Sequence, residues 1–277
     1  MFPSLPRMSN YRINIATAIH KGDREYQQDR VQVIQHPYNK QCLLVLLADG
    51  MGGRSGGALA SAQVIDSGRQ LLQQFDVDHD NPQALLRQLV MDAHSVIRML
   101  NISSEHEPHT TVAAFLLMPS GECFWIHSGD SRLYHFRRGA MICRTRDHSY
   151  VQSLLDEGKI TEAEAYHHPK SNLLVSCLGG PEQPRFGEQN RGQLEPEDVI
   201  LACSDGLWGH VSDKEMAKIT FSLSPTQACQ QLTELARSRG HGVGDNLSMV
   251  ILKTSPPDNK PAAHLPETTD RMLNFEW

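Results

Sequence analysis

The sequence predicts an α+β fold of mostly antiparallel sheets flanked by helix pairs. Roughly ten strand-like segments can be read along the chain, against four to five helical ones. The helical segments come in sequential pairs and do not alternate with single strands, which argues against a doubly wound parallel sheet. Strand-like segments also follow one another across 110–145 with short turns between them, the mark of an antiparallel meander.

In chain order, residues 1–10 read as a loose lead. At 11–20, Ile13, Ile15, Thr17 and Ile19 share one face, the period of a strand. A second short strand covers 30–35, and Pro37 turns the chain into a third at 41–48. That third strand holds the unbroken apolar run Cys42 to Ala48, as expected where both faces are buried. Ala58, Ala62, Ile65 and Leu72 recur at helical spacing across 55–75. Asn81 as N-cap and Pro82 as first helical residue open a second helix, ending near residue 100. A polar loop fills 102–108. Strands at 110–117, 123–128, 132–137 and 141–145 make the meander. Short helices at 151–157 and 161–166 follow, the second capped by Thr161.

The stretch 166–197 is rich in Pro, Gly and Asn and carries no period. A strand at 198–204 repeats the pattern of an apolar run closed by an acid, here Ser204-Asp205-Gly206. Helices at 212–219 and 226–239 come next, the first opened by the capping-box pair Ser212 and Glu215. A glycine-rich loop ends at Asp245-Asn246 and leads into a last strand at 247–253. Prolines without periodicity make 254–277 a flexible tail.

The chain has 277 residues, 39% of them hydrophobic, and a net charge of −6. That suits one large domain or two small ones, and is ample for a sizeable core. The negative balance, with no basic run longer than Arg137-Arg138, argues against a nucleic-acid surface. Six cysteines are scattered without a CxxC pair, as reduced core residues of a cytoplasmic protein would be. The N-terminus lacks the apolar core of a signal peptide, and no apolar run approaches the ~18–20 residues of a membrane span.

Five aspartates, Asp29, Asp49, Asp130, Asp205 and Asp245, each stand at a strand–loop junction. One such Asp is ordinary turn chemistry. Five together, two of them in the nearly matched frames LLADGMGG and LACSDGLWG, outweigh that reading. Strand ends converge on a sheet edge, and acids gathered there need cations to stay ionised. An all-oxygen set selects Mg²⁺ or Mn²⁺ over zinc or copper. Several carboxylates with two such ions are equipment for phosphate-ester hydrolysis. Arg24, shortly before Asp29, would bind phosphate oxygens bidentately.

The ordered set resembles the metal-dependent protein phosphatases, the type 2C serine/threonine family, in bacterial form. It consists of GDREYQQD at 22–29, LADGMGG at 47–53, TTVAAFLL at 110–117, HSGDSRLYHFRRG at 127–139 and RDHSYVQSLLDEGKIT at 146–161. HHPKSNLLVSCLGG at 167–180, DVILACSDGLWGHVSD at 198–213 and GVGDNLSMVIL at 242–252 complete it.

The resemblance spans about residues 11–253 and implies a four-layer α-β-β-α sandwich, with a flap-like segment at about 146–190 where substrate selectivity arises. By the same resemblance, Asp49 bridges two metal ions, Gly50 lends one of them its carbonyl, and Asp205 and Asp245 complete the other site. Asp29 holds metal-bound water, and Asp130 helps bind a third, looser ion. Arg24 binds phosphate, and Asn246 orients water or phosphate. The implied reaction is direct hydrolysis of phosphoserine and phosphothreonine by a metal-bridging hydroxide. The implied substrates are phosphoproteins made by a serine/threonine kinase, and the implied state is a monomer.

Three positions depart from the pattern. Gln28 stands where many members have Glu. Met51 stands where eukaryotic members have a histidine proposed as general acid. His109 stands where a small residue usually precedes Thr110-Thr111. His148 reads as structural, Trp208 as core packing, His167-His168 as no metal pair, and Leu273, Phe275 and Trp277 as part of a frayed end. The competing readings are a catalytically weak relative that binds phosphoproteins and a phosphodiesterase of unrelated fold.

Overall fold

The apolar run 42–48 forms a strand covered on both faces, although its neighbours are antiparallel. The computed structural model describes residues 11–103 and 107–257. The predicted lead and most of the predicted tail, including Leu273, Phe275 and Trp277, lie outside the described residues.

The chain order is β1 (Arg12–His20), β2 (Arg30–Gln35), β3 (Leu43–Ala48), β4 (Gly50–Met51), α1 (Gly53–Gln74), α2 (Pro82–Ser103), β5 (His109–Thr110), β6 (Val112–Leu117), β7 (Glu122–Ser128), β8 (Arg132–Arg137) and β9 (Ala140–Arg144). Then come α3 (Tyr150–Asp156), α4 (Glu162–Tyr166), β10 (Gly187–Gln193), β11 (Asp198–Cys203), α5 (Asp205–Trp208), α6 (Asp213–Ser222), α7 (Pro225–Gly240) and β12 (Leu247–Ser255). One sheet has the order β1-β12-β11-β8-β9 and the other β10-β7-β6-β3-β2, with β4 and β5 as a separate ladder. Each pairing is antiparallel.

Side-chain alternation builds the layers. Leu44, Leu46 and Ala48 of β3, with Ala114 and Leu116 of β6, pack under α1 and α2 against Val64, Leu72, Leu86 and Leu89. The intervening Val45, Leu47 and Phe115 face the other sheet and meet Ile200, Ala202, Val250 and Leu252. On the far side, Leu201, Cys203, Met249 and Ile251 pack against Met216, Ala228 and Leu232 of α6 and α7. The result is four layers, helix pair on sheet on sheet on helix pair. Sandwiching between two apolar layers is why these antiparallel strands read as unbroken apolar runs.

Caps fix where the helices begin. Asn81 Oδ1 accepts from the N–H groups of Gln83 and Ala84. Thr161, Ser212 and Ser224 each complete a capping box.

The structure differs from the sequence reading in several elements. The predicted strand 110–117 is broken at Thr111, and its first residue, Thr110, pairs with β4 together with His109. Helix α2 runs on to Ser103, and β12 continues to Ser255. Strand β10 lies inside the stretch without a period. It is a polar edge strand with a register shift between Asn190 and Gln193, so no apolar alternation marks it. Helix α5 is one turn, too short to show a period.

Between β9 and β10 the chain leaves the sandwich. Tyr150 N donates to Leu173 O and Val175 N to His148 O, both at 2.8 Å, so the excursion carrying α3 and α4 begins and ends at one paired point. Beyond it, Leu178 pairs with Thr110. His127 at the end of β7 has Nε2 2.8 Å from Arg146 O and Nδ1 3.1 Å from Gly187 O. One ring therefore touches both the departing and the returning chain.

Candidate metal and phosphate site

The five aspartates come together at one edge of the sandwich. Asp29 precedes β2, Asp49 follows β3, Asp130 lies between β7 and β8, Asp205 opens α5 after β11, and Asp245 precedes β12. Asp29, Asp49, Asp130 and Asp205 all titrate above the ordinary carboxylate range, with burial the largest cause in each. Mutual repulsion adds to it. Asp49 is pushed up by Asp29, Asp205, Asp130 and Asp245, and Asp205 by Asp130, Asp245 and Asp29.

Each acid is held by small polar groups. The Asp49 carbonyl accepts from Thr110 Oγ1 at 2.8 Å and Thr111 N at 2.9 Å, while Asp49 N donates to Thr111 Oγ1 at 3.0 Å. Fully buried Asp29 accepts from Ser204 Oγ at 2.8 Å, and Ser204 Oγ accepts in turn from Ser248 N at 2.9 Å. The Asp130 carbonyl accepts from Trp208 Nε1 at 3.0 Å. Arg132 lies 3.6 Å from that indole's centroid and grips Asp147 with bonds of 2.8 and 2.7 Å. Trp208 therefore holds the Asp130 turn and does more than fill core space.

Gly50 is required by close approach. A Cβ there would lie 2.1 Å from Gly57 O and 2.7 Å from Gln28 O. Gln28 Nε2 donates to Gly53 O at 2.7 Å, tying the loop before β2 to the start of α1. Met51 pairs in register with His109, whose Nδ1 is buried without a hydrogen-bond partner. His148 Nδ1 accepts from Gly129 N at 3.2 Å, and its ring stacks on His127. His168 Nδ1 accepts from the backbone of Lys170.

Arg24 reaches the cluster from the exposed side. Its Nη2 lies 2.5 Å from Asp245 Oδ2, and its side chain is 60% exposed. The Asn246 side chain is held by backbone groups. Its Nδ2 donates to Lys21 O at 2.7 Å and Tyr26 O at 3.0 Å, and its Oδ1 accepts from Gln28 N at 2.7 Å. Both amide protons are spent on the loop that carries Arg24, so the side chain braces that loop.

The donors match a hard cation. All are oxygens, and buried Asp29 Oδ1 and Asp205 Oδ1 have no hydrogen-bond donor. Among the described residues, no three His, Cys, Asp or Glu side chains are grouped so that they could hold a metal ion by themselves. Hard cations such as Mg²⁺ and Mn²⁺ commonly take backbone and solvent oxygens as well as carboxylates. The supporting residues Thr110, Thr111, Ser204, Ser248 and Trp208 were not singled out from sequence as site residues. For Ser204 and Ser248 the signal is a hydroxyl residue close to an acid, at Ser204-Asp205 and three residues after Asp245, whereas Thr110 and Thr111 meet Asp49 only through the fold.

Similarity to known proteins runs through most of the chain. A family model described as Protein phosphatase 2C matches residues 17–238. The serine/threonine protein phosphatase PstP of Mycobacterium tuberculosis is 34% identical over 215 residues, which cover 75% of this chain and 40% of PstP. The crystal structure of PstP from that organism superposes with a TM-score of 0.75 at 30% identity, covering 88% of this chain and 99% of that one. A structure of the PstP catalytic domain in complex with two manganese ions has a TM-score of 0.73 at 30% identity, covering 88% and 98%.

Proposed function

This chain belongs to the protein phosphatase 2C family, and from that membership we propose a metal-dependent protein-serine/threonine phosphatase built on the five gathered aspartates. The observation that carries the reading is their crowding. Asp29, Asp49, Asp130 and Asp205 resist ionisation at one edge, and two of their oxygens lack partners. Divalent cations would remove that penalty.

Asp49, Asp205, Asp245 and the Gly50 carbonyl would hold two ions, with Asp29 beside them and Asp130 serving a third, looser one. Manganese is the first choice and Mg²⁺ the alternative. When bound, such ions supply an activated water and offset charge on the phosphoryl group. The residues of the chain do the rest. Ser204 orients the Asp29 carboxylate, and Thr110 and Thr111 fix the backbone of Asp49. The Arg24 guanidinium, with five donors, can hold Asp245 and still donate to phosphate oxygens. Met51 has no proton to give to the leaving alcohol. The substrates are phosphoproteins that a serine/threonine kinase has modified.

The test is hydrolysis of p-nitrophenyl phosphate and of a phosphothreonine peptide with Mn²⁺. Chelator should abolish both activities, and Asp49→Asn should lower turnover by about a thousandfold or more. Chelator-insensitive turnover would overturn the reading. Tight phosphopeptide binding without turnover would identify a silent binding relative. Faster cleavage of bis-p-nitrophenyl phosphate than of the monoester would identify a phosphodiesterase.

A further inference from the structure

Helix α7 ends beside the loop that carries Arg24. From it, Arg237 closes two bonds on Asp23, Nη1 to Oδ2 and Nη2 to Oδ1, both 2.8 Å. Asp23 Oδ2 also accepts from Gly244 N at 2.7 Å, and Asp23 N donates to Gly244 O at 2.8 Å. Three segments therefore meet at one carboxylate: the loop before β2, the loop before β12, and α7. The fit is tight. A Cβ at Gly22 would lie 2.0 Å from Asp245 O, and one at Gly244 would lie 3.0 Å from Arg237 Nη1.

The next residue after Asp23 is Arg24, and the next after Gly244 is Asp245. Those two pair with each other at 2.5 Å. The Asp23–Gly244 junction thus sets the spacing of the Arg24–Asp245 pair one residue further along each chain. Arg24 is an exposed side chain, and a long side chain on an unanchored backbone loses much conformational freedom on gripping phosphate. Anchoring the preceding residue reduces that loss, as preorganisation does in general. Planar Arg–carboxylate pairing adds direction as well as attraction.

We propose that Arg237 and Asp23 are positioning residues for phosphate recognition, holding Arg24 against Asp245 at the catalytic edge. The proposal rests on the reading of Arg24 as the phosphate-binding side chain. Neither residue touches the substrate, and both act through Arg24.

The experiment compares wild type, Arg24→Ala, Arg237→Gln, the double variant and Arg239→Ala. Arg239 lies on the same helix but pairs with Glu215, so Arg239→Ala controls for a general loosening of α7. Calorimetry measures inorganic phosphate binding to the Mn²⁺-loaded proteins, and kinetics give phosphate inhibition of p-nitrophenyl phosphate turnover. Arg237→Gln should weaken phosphate binding about fivefold, the scale of one partly exposed bidentate pair, with kcat held within about twofold. In the Arg24→Ala background the same change should add nothing, and Arg239→Ala should leave phosphate binding unchanged. Unaltered phosphate affinity in Arg237→Gln, or an equal loss with and without Arg24, would overturn the proposal. If Arg24→Ala itself leaves phosphate binding intact, the reading of Arg24 fails, and the two failures are told apart.

Discussion

The Arg137 guanidinium closes on the buried Asp198 carboxylate through bonds of 2.6 and 2.8 Å, joining β8 to β11 at the end remote from the metal-site acids. His135 Nε2 stands 3.2 Å from the same carboxylate. Burial alone would raise Asp198, but Arg137, His135 and the Glu195 N–H overcome it and hold the acid at about 2. A folded pKa below the unfolded value of about 3.9 adds stability above about pH 4, which is lost as pH falls toward 2. Asp198→Asn should cost about 3 kcal/mol at neutral pH and flatten the acid limb between about pH 4 and 2. Denaturant unfolding across that range measures both, and an unchanged limb would count against the assignment.

Cations should stabilise the fold as well as enable turnover. With Mn²⁺ at about one hundred times its Kd, linkage predicts about 2.7 kcal/mol, a rise in Tm of roughly 5–10 °C. Thermal unfolding with and without chelator reads this directly. Asp49→Asn should lose most of the rise, and an equal rise in the variant would place the ions elsewhere.

Ser204 links two strands to one acid. Ser204→Ala removes the donor to Asp29 and the acceptor of Ser248 N. About 1–3 kcal/mol of stability should go with them, as for other buried polar groups left unsatisfied. The Mn²⁺ requirement for turnover should also rise, which a titration of activity against metal would show.

Two glycines separate close approach from backbone conformation. Gly50→Ala would drive a Cβ to 2.1 Å from Gly57 O and should cost upwards of ~3 kcal/mol or prevent folding. Gly158 has a positive φ but no neighbour within 4 Å, so Gly158→Ala should cost only about 1–2 kcal/mol. Unfolding of the two variants under the same conditions gives the comparison.

His127→Phe keeps a flat ring but removes both contacts to the flap-like segment, at Arg146 O and Gly187 O. Hydrogen exchange should rise across 146–187. The phosphopeptide KM should climb about three- to tenfold while that for p-nitrophenyl phosphate moves less, an effect the size of one or two lost hydrogen bonds. An equal change for both substrates would show that the clamp acts on the catalytic edge and not on the segment.

What the sequence discloses depends on the physics that writes it. The apolar runs of β3, β6, β11 and β12 are explicit because each is sealed between two hydrophobic layers. The five aspartates are legible because each stands where a strand meets a loop. Strand β10 is hidden because an edge strand needs no apolar face, and α5 because one turn has no period. The brace made by Asn246 and the clamp made by Arg237 on Asp23 are tertiary facts. They join positions more than 200 residues apart, and spacing along the chain carries no trace of them.

The pairing of Ser149 with Leu174 has a consequence for how such a molecule can change over generations. Because α3 and α4 leave and rejoin the body at one point, the excursion behaves as a replaceable cassette. Lengthening a closed loop is cheap, about 0.6 kcal/mol for each doubling. Insertions or exchanged helices there would change the surface of the excursion while leaving the strand ends, and the acids they carry, undisturbed. Variation can then be tried out without putting the chemistry at risk.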